Sequence, residues 1–308
     1  MLFGYQAHSP TRRAGCGLNR GQLTPYLAIK LTAPLSLLFL VTCLMCVCES
    51  QEQLKAPKPS LIDRLLFYPS DDSVGNWKPE DLPFDDVSFA SADGTKLHGW
   101  YCKCERPQAI VLFAHGNGEN IATRTRLLRE LLNKARVSVF IFDYRGYGRS
   151  EGEATIDGAL ADARAARSKL CELASIPDSE MLLMGDSLGG AIVVQLAAES
   201  APRGLVLQST FSSLKEIAKV HFGFMAAVVD ATNLDSATRI KAYSGPLFQS
   251  HGNRDGVIPF EMGRKLFQSA NEPRTFFTVR DAGHNNWLTP EYLEALSKFI
   301  SKLIGNSG

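Results

Sequence analysis

One decapeptide constrains this chain more than any other stretch: Met181 to Gly190, MLLMGDSLGG, followed at once by AIVVQLAAES. An apolar strand runs into Gly185-Asp186-Ser187-Leu188-Gly189 and continues as a helix. A strand can turn that sharply into a helix only if the residues flanking the turn carry no side chain, which is what Gly185 and Gly189 provide. The turn leaves the Ser187 hydroxyl at the carboxyl edge of a sheet, beside the unpaired N–H groups of the helix start. A buried strand entering such a turn needs a layered α/β scaffold around it.

The rest of the body fits that scaffold. Strands are expected at 87–90, 97–102, 109–114, 138–144, 181–185, 205–208, 246–250 and 275–279, with continuous apolar runs such as IVLF, VFIF and LVL suited to strands covered on both faces. Helical spacing places helices at 121–134, 156–174, 188–199, 260–270 and 290–304. The expectation is a mostly parallel sheet of about eight strands flanked by helices, with the first two strands forming an edge hairpin at Asp93-Gly94. The long stretch between strands, about 211–245, reads as a small cap. Its apolar residues Phe211, Leu214, Ile217, Val220, Phe222, Phe224 and Met225 are expected to line an acyl pocket above Ser187, the alternative for each being to bury the cap against the sheet.

A serine is a weak nucleophile at neutral pH and needs a base, itself oriented by an acid. Three histidines follow Ser187. His284, in Asp281-Ala282-Gly283-His284-Asn285-Asn286 between the last strand and last helix, falls at the same sheet edge as the serine and is the expected base. His251 lies at a strand end and reads as structural, and His221 falls in the cap. Asp255, after strand 246–250, is the expected acid; Asp230 and Asp235 lie in the cap, and Asp281 is too close to its own strand. Attack on a carbonyl creates an oxyanion that needs preset donors, and His115-Gly116-Asn117-Gly118 follows the strand 109–114. The backbone amides of Asn117 and Leu188 are the expected oxyanion hole. The loop has no Walker lysine and the chain no G-x-G-x-x-G, so no cofactor is expected, and no metal.

Lys and Arg number 33 against 32 Asp and Glu, which leaves no basic surplus for a phosphate backbone, so a nucleic-acid partner is not expected. The first 50 residues are different, with Arg12, Arg13, Arg20 and Lys30 preceding Leu31 to Val47, LTAPLSLLFLVTCLMCV. An uncharged apolar run behind a basic flank and ahead of Glu49 reads as a signal peptide or an N-terminal membrane anchor, with possible membrane association through residues 31–47 and an extracytoplasmic body. Pro34 and the modest length favour the signal peptide; lipidation at a cysteine and a buried helix are the alternatives. Residues 51–60 read as a linker, and 61–305 as the folded domain. Cys102 and Cys104 alternate about Lys103, which would place them on one strand face as free thiols.

Taken together, LPFDDVSFASADGTKLHGWY, VLFAHGNGEN, FIFDYRGYGRSEG, GDSLGG, HGNRDGVIPF and AGHNN resemble the α/β-hydrolase superfamily, in particular its ABHD-type serine hydrolases and Bem-like bacterial relatives. The resemblance spans about residues 60–305. It implies the α/β-hydrolase fold, Ser187 as nucleophile, Asp255 as acid, His284 as base and the Asn117 and Leu188 amides as oxyanion hole. It implies a small-molecule or acylated substrate held through an ester or thioester; the same triad would also serve a peptidase or amidase, and a silent fold used for binding is the remaining alternative. Relatives often carry Arg before the serine and Ala-Gly-Asn in the oxyanion loop, where this chain has Asp186 and Gly118-Glu119-Asn120.

Overall fold

The computed structural model describes residues 58–305 apart from 231 and 233. The signal or anchor segment and most of the linker therefore lie outside the described residues. Among those described, no helix is long and apolar enough to cross a membrane.

The eight expected strands all form: β1 (Asp85–Ala90), β2 (Lys96–Cys102), β3 (Ala109–Ala114), β4 (Val137–Phe142), β5 (Leu182–Asp186), β6 (Gly204–Gln208), β7 (Leu247–Gly252) and β8 (Arg274–Val279). They make one sheet in the order β1-β2-β4-β3-β5-β6-β7-β8. β1 and β2 pair antiparallel as the edge hairpin, β2 is antiparallel to β4, and the remaining pairings are parallel. This is the α/β-hydrolase fold. Side chains alternate between two cores as the pleat requires: Leu112, Leu183 and Leu205 face one, and Val111, Leu182 and Val206 face the other.

The helices are α1 (Leu61–Leu66), α2 (Thr125–Asn133), α3 (Ile156–Ala174), α4 (Leu188–Glu199), α5 (Leu214–Phe222), α6 (Ser236–Arg239), α7 (Phe260–Ser269) and α8 (Pro290–Gly305). Apolar residues of α3 and α4 fill the first core, and those of α2 and α8 the second, so the sheet is covered on both sides. Buried Arg145 fastens the hairpin to α3, forking onto Asp162 at 2.7 Å and reaching Asp93 at 2.8 Å.

Two expectations need correction, and one helix adds to the expected set. The helix expected over 121–134 is broken: a 3-10 turn covers Ile121–Thr123, and α2 starts only after Arg124. Asn120 caps that turn by accepting from the Ala122 N–H, while the Arg124 guanidinium is drawn back to the Gly118 carbonyl. The short helix α1 was not expected. Its signal is a capping box, in which the Ser60 hydroxyl accepts from the Asp63 N–H and the Asp63 carboxylate accepts from the Ser60 N–H. Cys102 and Cys104 are free thiols, but β2 ends at Cys102, so the alternation that would put both on one strand face stops there. Burial pushes the Cys102 thiol up to about 12.

Candidate active site

Ser187 sits between β5 and α4 with φ +52° and ψ −119°, a backbone conformation side-chain-bearing residues rarely adopt. The neighbouring structure imposes it. The Ser187 N–H donates to the Gln208 carbonyl at 2.8 Å, and its carbonyl accepts the Thr210 hydroxyl at 2.7 Å. A Cβ on Gly185 would lie 2.4 Å from the Gly189 backbone, and one on Gly189 only 1.9 Å from the Ala114 carbonyl oxygen. The elbow and the end of β3 thus touch backbone to backbone. Thr210 as a brace was not read from the sequence, since nothing local marks a threonine after β6 as facing another strand's turn.

The loops after β7 and β8 bring the other two residues to the serine. The His284 Nε2 lies 3.1 Å from the Ser187 Oγ, and its Nδ1 lies 2.8 Å from the Asp255 Oδ2. With Nδ1–H donating to the carboxylate, Nε2 is free to accept the serine proton. Burial opposes charge on Asp255, but hydrogen bonds from His251 and His284, and from the Ile258 N–H at 2.8 Å, outweigh it and hold the carboxyl far below its usual range. Buried His251 shares its Nε2 between the Ile258 carbonyl and Asp255, as a structural partner of the acid. The His221 Nε2–H donates to the Val257 carbonyl at 2.8 Å.

Leu188 is the first residue of α4, so its N–H has no acceptor one turn back. Asn117 lines the same cavity as Ser187, and a Cβ on the preceding Gly116 would sit 3.2 Å from the Ser187 Cβ. The loop is therefore pressed against the elbow. The Asn117 side chain turns away and laces α1 to the loop: its Oδ1 accepts from the Tyr68 N–H at 3.0 Å and the Tyr147 hydroxyl at 2.9 Å, and its Nδ2 donates to the Leu66 carbonyl.

Beneath the loop, burial lowers His115 to about 3, with the Arg124 charge adding to the effect, so the ring is neutral and its Nδ1–H donates to the Gly116 carbonyl. Burial pushes the adjacent Asp143 carboxyl up to about 7, against the Ile121 N–H that it accepts. Between the ordinary value of 3.8 and about 7, folded protein holds a proton that unfolded protein has lost. This contribution to stability is complete at low pH, falls as pH rises through that window, and is absent above it. Asp143→Asn removes the titration, so its stability relative to wild type should improve between pH 4 and pH 8 in denaturant melts. A difference that does not change with pH would refute this environment for Asp143.

Two cavities meet at Asn117 and Asn285. One, of about 570 Å³, has Ser187 and His284 on its lining and apolar walls from α1 and the cap, including Leu65, Phe211, Leu214 and Ile217. The other, of about 470 Å³, is lined by Glu119, Arg124, Arg126 and Asp186. Of the cap residues expected in the apolar cavity, Phe211, Leu214, Ile217 and Phe222 line it. Val220 and Phe224 do not: both project outward and are exposed. The Met225 side chain lies outside the described residues. The α1 wall was missed, because its contribution depends on Asp63 bonding the Ile156 N–H, 93 residues away at 2.8 Å.

The chain has relatives among known proteins. A family described as "Serine aminopeptidase, S33" matches residues 105–232. The Mycobacterium tuberculosis protein Rv2307c is 32% identical over 250 residues, covering 78% of this chain and 87% of that protein. The Arabidopsis thaliana "Alpha/beta hydrolase domain-containing protein WAV2" is 35% identical over 150 residues, covering 47% of this chain and 48% of that one. Among solved structures, the Pyrococcus furiosus esterase Pf2001 superposes with a TM-score of 0.65 at 21% identity, over 78% of this chain and 98% of that one.

Proposed function

This chain belongs to the α/β-hydrolase superfamily, and on that premise we propose that it is a serine hydrolase cleaving acyl esters or thioesters through an acyl-enzyme. The observation that carries the reading is the relay from the Ser187 Oγ through His284 to Asp255, at 3.1 and 2.8 Å, on the lining of an apolar cavity.

In this mechanism the Ser187 Oγ attacks the substrate carbonyl carbon while His284 Nε2 takes its proton. The Leu188 and Asn117 amides hold the oxyanion. Asp255, kept ionised by its hydrogen bonds, stabilises the imidazolium. The tetrahedral intermediate collapses, the carbon–leaving-group bond breaks, and His284 returns the proton to the departing oxygen or sulfur. Water then enters, His284 takes its proton, and attack on the acyl carbon releases the acid and restores Ser187. The acyl chain occupies the apolar cavity, and the leaving group exits toward the charged one.

Steric filling tests the chain-binding role. Ala218 lines the apolar cavity from α5, so Ala218→Phe should lower kcat/KM for an octanoyl ester by about tenfold or more while sparing an acetyl ester, the scale of a few methylenes of lost contact. An equal loss on both esters would move the acyl chain elsewhere. The description of the matching family favours a second reading, an aminopeptidase. Specificity constants for p-nitrophenyl esters, an acyl thioester and amino-acid amides on one preparation decide between them, and faster amide cleavage replaces the ester reading.

We further propose that residues 31–47 direct the body out of the cytoplasm or hold it at a membrane. Full-length protein should sediment with membranes or appear processed and exported. Unprocessed protein in the soluble cytoplasmic fraction would count against it.

A further inference from the structure

Nine large hydrophobic side chains are exposed among the described residues, and their distribution is not even. Leu61, Tyr68, Phe222, Val228 and Val257 all belong to the lining of the apolar cavity, so their exposed portions form its rim. Val220 and Phe224 extend the same cap outward from the cavity, and Phe224 is 91% exposed. A soluble surface seldom gathers such side chains around one opening.

We propose that this rim seats on a lipid surface, from which a long acyl chain passes into the cavity without crossing water. The proposal rests on the hydrolase reading only for what happens to that chain once inside. Two observations favour lipid over a protein partner. The first is charge. The exposed ionic groups on and beside α1 and α5 include Lys58, Arg64 and Lys219, whereas the acid of α1 is buried and that of α5 is paired. Asp63 is buried and bonded to Ser60 and the Ile156 N–H, and Glu216 is held by Lys265 and Ser212. Asp230, bonded to Thr232, is exposed at the far end of the cap, and the exposed acids just beyond Tyr68 are each engaged, Asp71 by Ser73, Asp72 by Arg149 and Glu119 by Arg124. Lysine and arginine stems around an apolar patch suit anionic headgroups, with the hydrocarbon below taking Phe224 and Val228.

The second is chain connectivity. Residues 48–60 alone separate the apolar run Leu31–Val47 from Leu61 on the rim. Fully extended, 13 residues reach at most about 45 Å. If the run enters a bilayer, Leu61 stays within that reach of it.

The test uses the full chain on vesicles of phosphatidylcholine and phosphatidylglycerol whose acyl chains carry bromine. Phe224→Trp adds a reporter at the most exposed rim position, and the native tryptophan signal is subtracted using the parent protein. Quenching of the added tryptophan by the brominated chains is expected. No quenching overturns the proposal, whether the rim is then covered by a second copy or by the chain's own apolar run. In parallel, the double variant Val220→Asp/Phe224→Asp, which alters neither the relay nor the cavity lining, should hydrolyse a vesicle-borne long-chain ester about tenfold or more slowly. Its rate on a dissolved acetyl ester should be unchanged. Equal rates on the vesicle substrate overturn the proposal. Quenching without hydrolysis of either ester by the parent protein leaves the docking in place and removes the hydrolase reading instead.

Discussion

Ser187→Ala is expected to lower turnover of a p-nitrophenyl acyl ester by on the order of 10⁴- to 10⁶-fold, the range seen when a serine relay loses its nucleophile. The loss should fall in kcat, because the apolar cavity and the backbone donors remain. It should leave the thermal midpoint close to wild type, since the hydroxyl is not part of the packed core and the Ser187 backbone keeps its bonds to Gln208 and Thr210. Fluorophosphonate labelling should disappear together with activity. A Ser187→Ala protein that hydrolyses at the wild-type rate would falsify the assignment of the nucleophile, and with it the covalent mechanism.

Gly189→Ala should damage both stability and activity, through one added methyl group. The new Cβ would stand 1.9 Å from the Ala114 carbonyl oxygen and 2.7 Å from that of His115, both backbone atoms with no rotamer to move aside. Relief requires α4 to lift from the sheet or the end of β3 to shift. Overpacking of this kind costs about 1–3 kcal/mol or more, which for a domain of this size lowers the midpoint by at least several degrees. The oxyanion loop begins at His115, so the same displacement moves the Asn117 amide relative to the Ser187 Oγ. A misplacement near 1 Å is enough for about a 10²-fold loss in kcat. Wild-type stability and turnover in this variant would mean that α4 and β3 are not in backbone contact.

Ser187, His284, Asp255 and the strand pattern were legible in the sequence because each leaves a local mark. The glycines around Ser187 answer a steric demand spanning five residues, and a strand buried on both faces must be apolar at every position, as in Val139 to Phe142. Chain order did the rest, since a parallel sheet puts every β-to-α loop at one edge, and the loops holding Ser187, Asp255 and His284 all lie there.

The short helix α1 shows where that legibility stopped. Its capping box can be read at Ser60 and Asp63, yet its place as a wall of the apolar cavity depends on Asp63 meeting Ile156 and on Asn117 meeting Leu66 and Tyr68. The cap shows the same limit: Phe222 and Phe224 are two positions apart on an apolar stretch, but one lines the cavity and the other faces out. The elbow and the sheet could be read from residue order alone, and so could the choice of Ser187, Asp255 and His284 for the proposed relay, because bond geometry, side-chain periodicity and connection rules act over short distances along the chain. The shape of the cavity, its apolar rim and the raised carboxyl of Asp143 emerge only in the folded chain, because they depend on which distant surfaces meet and how much water they exclude.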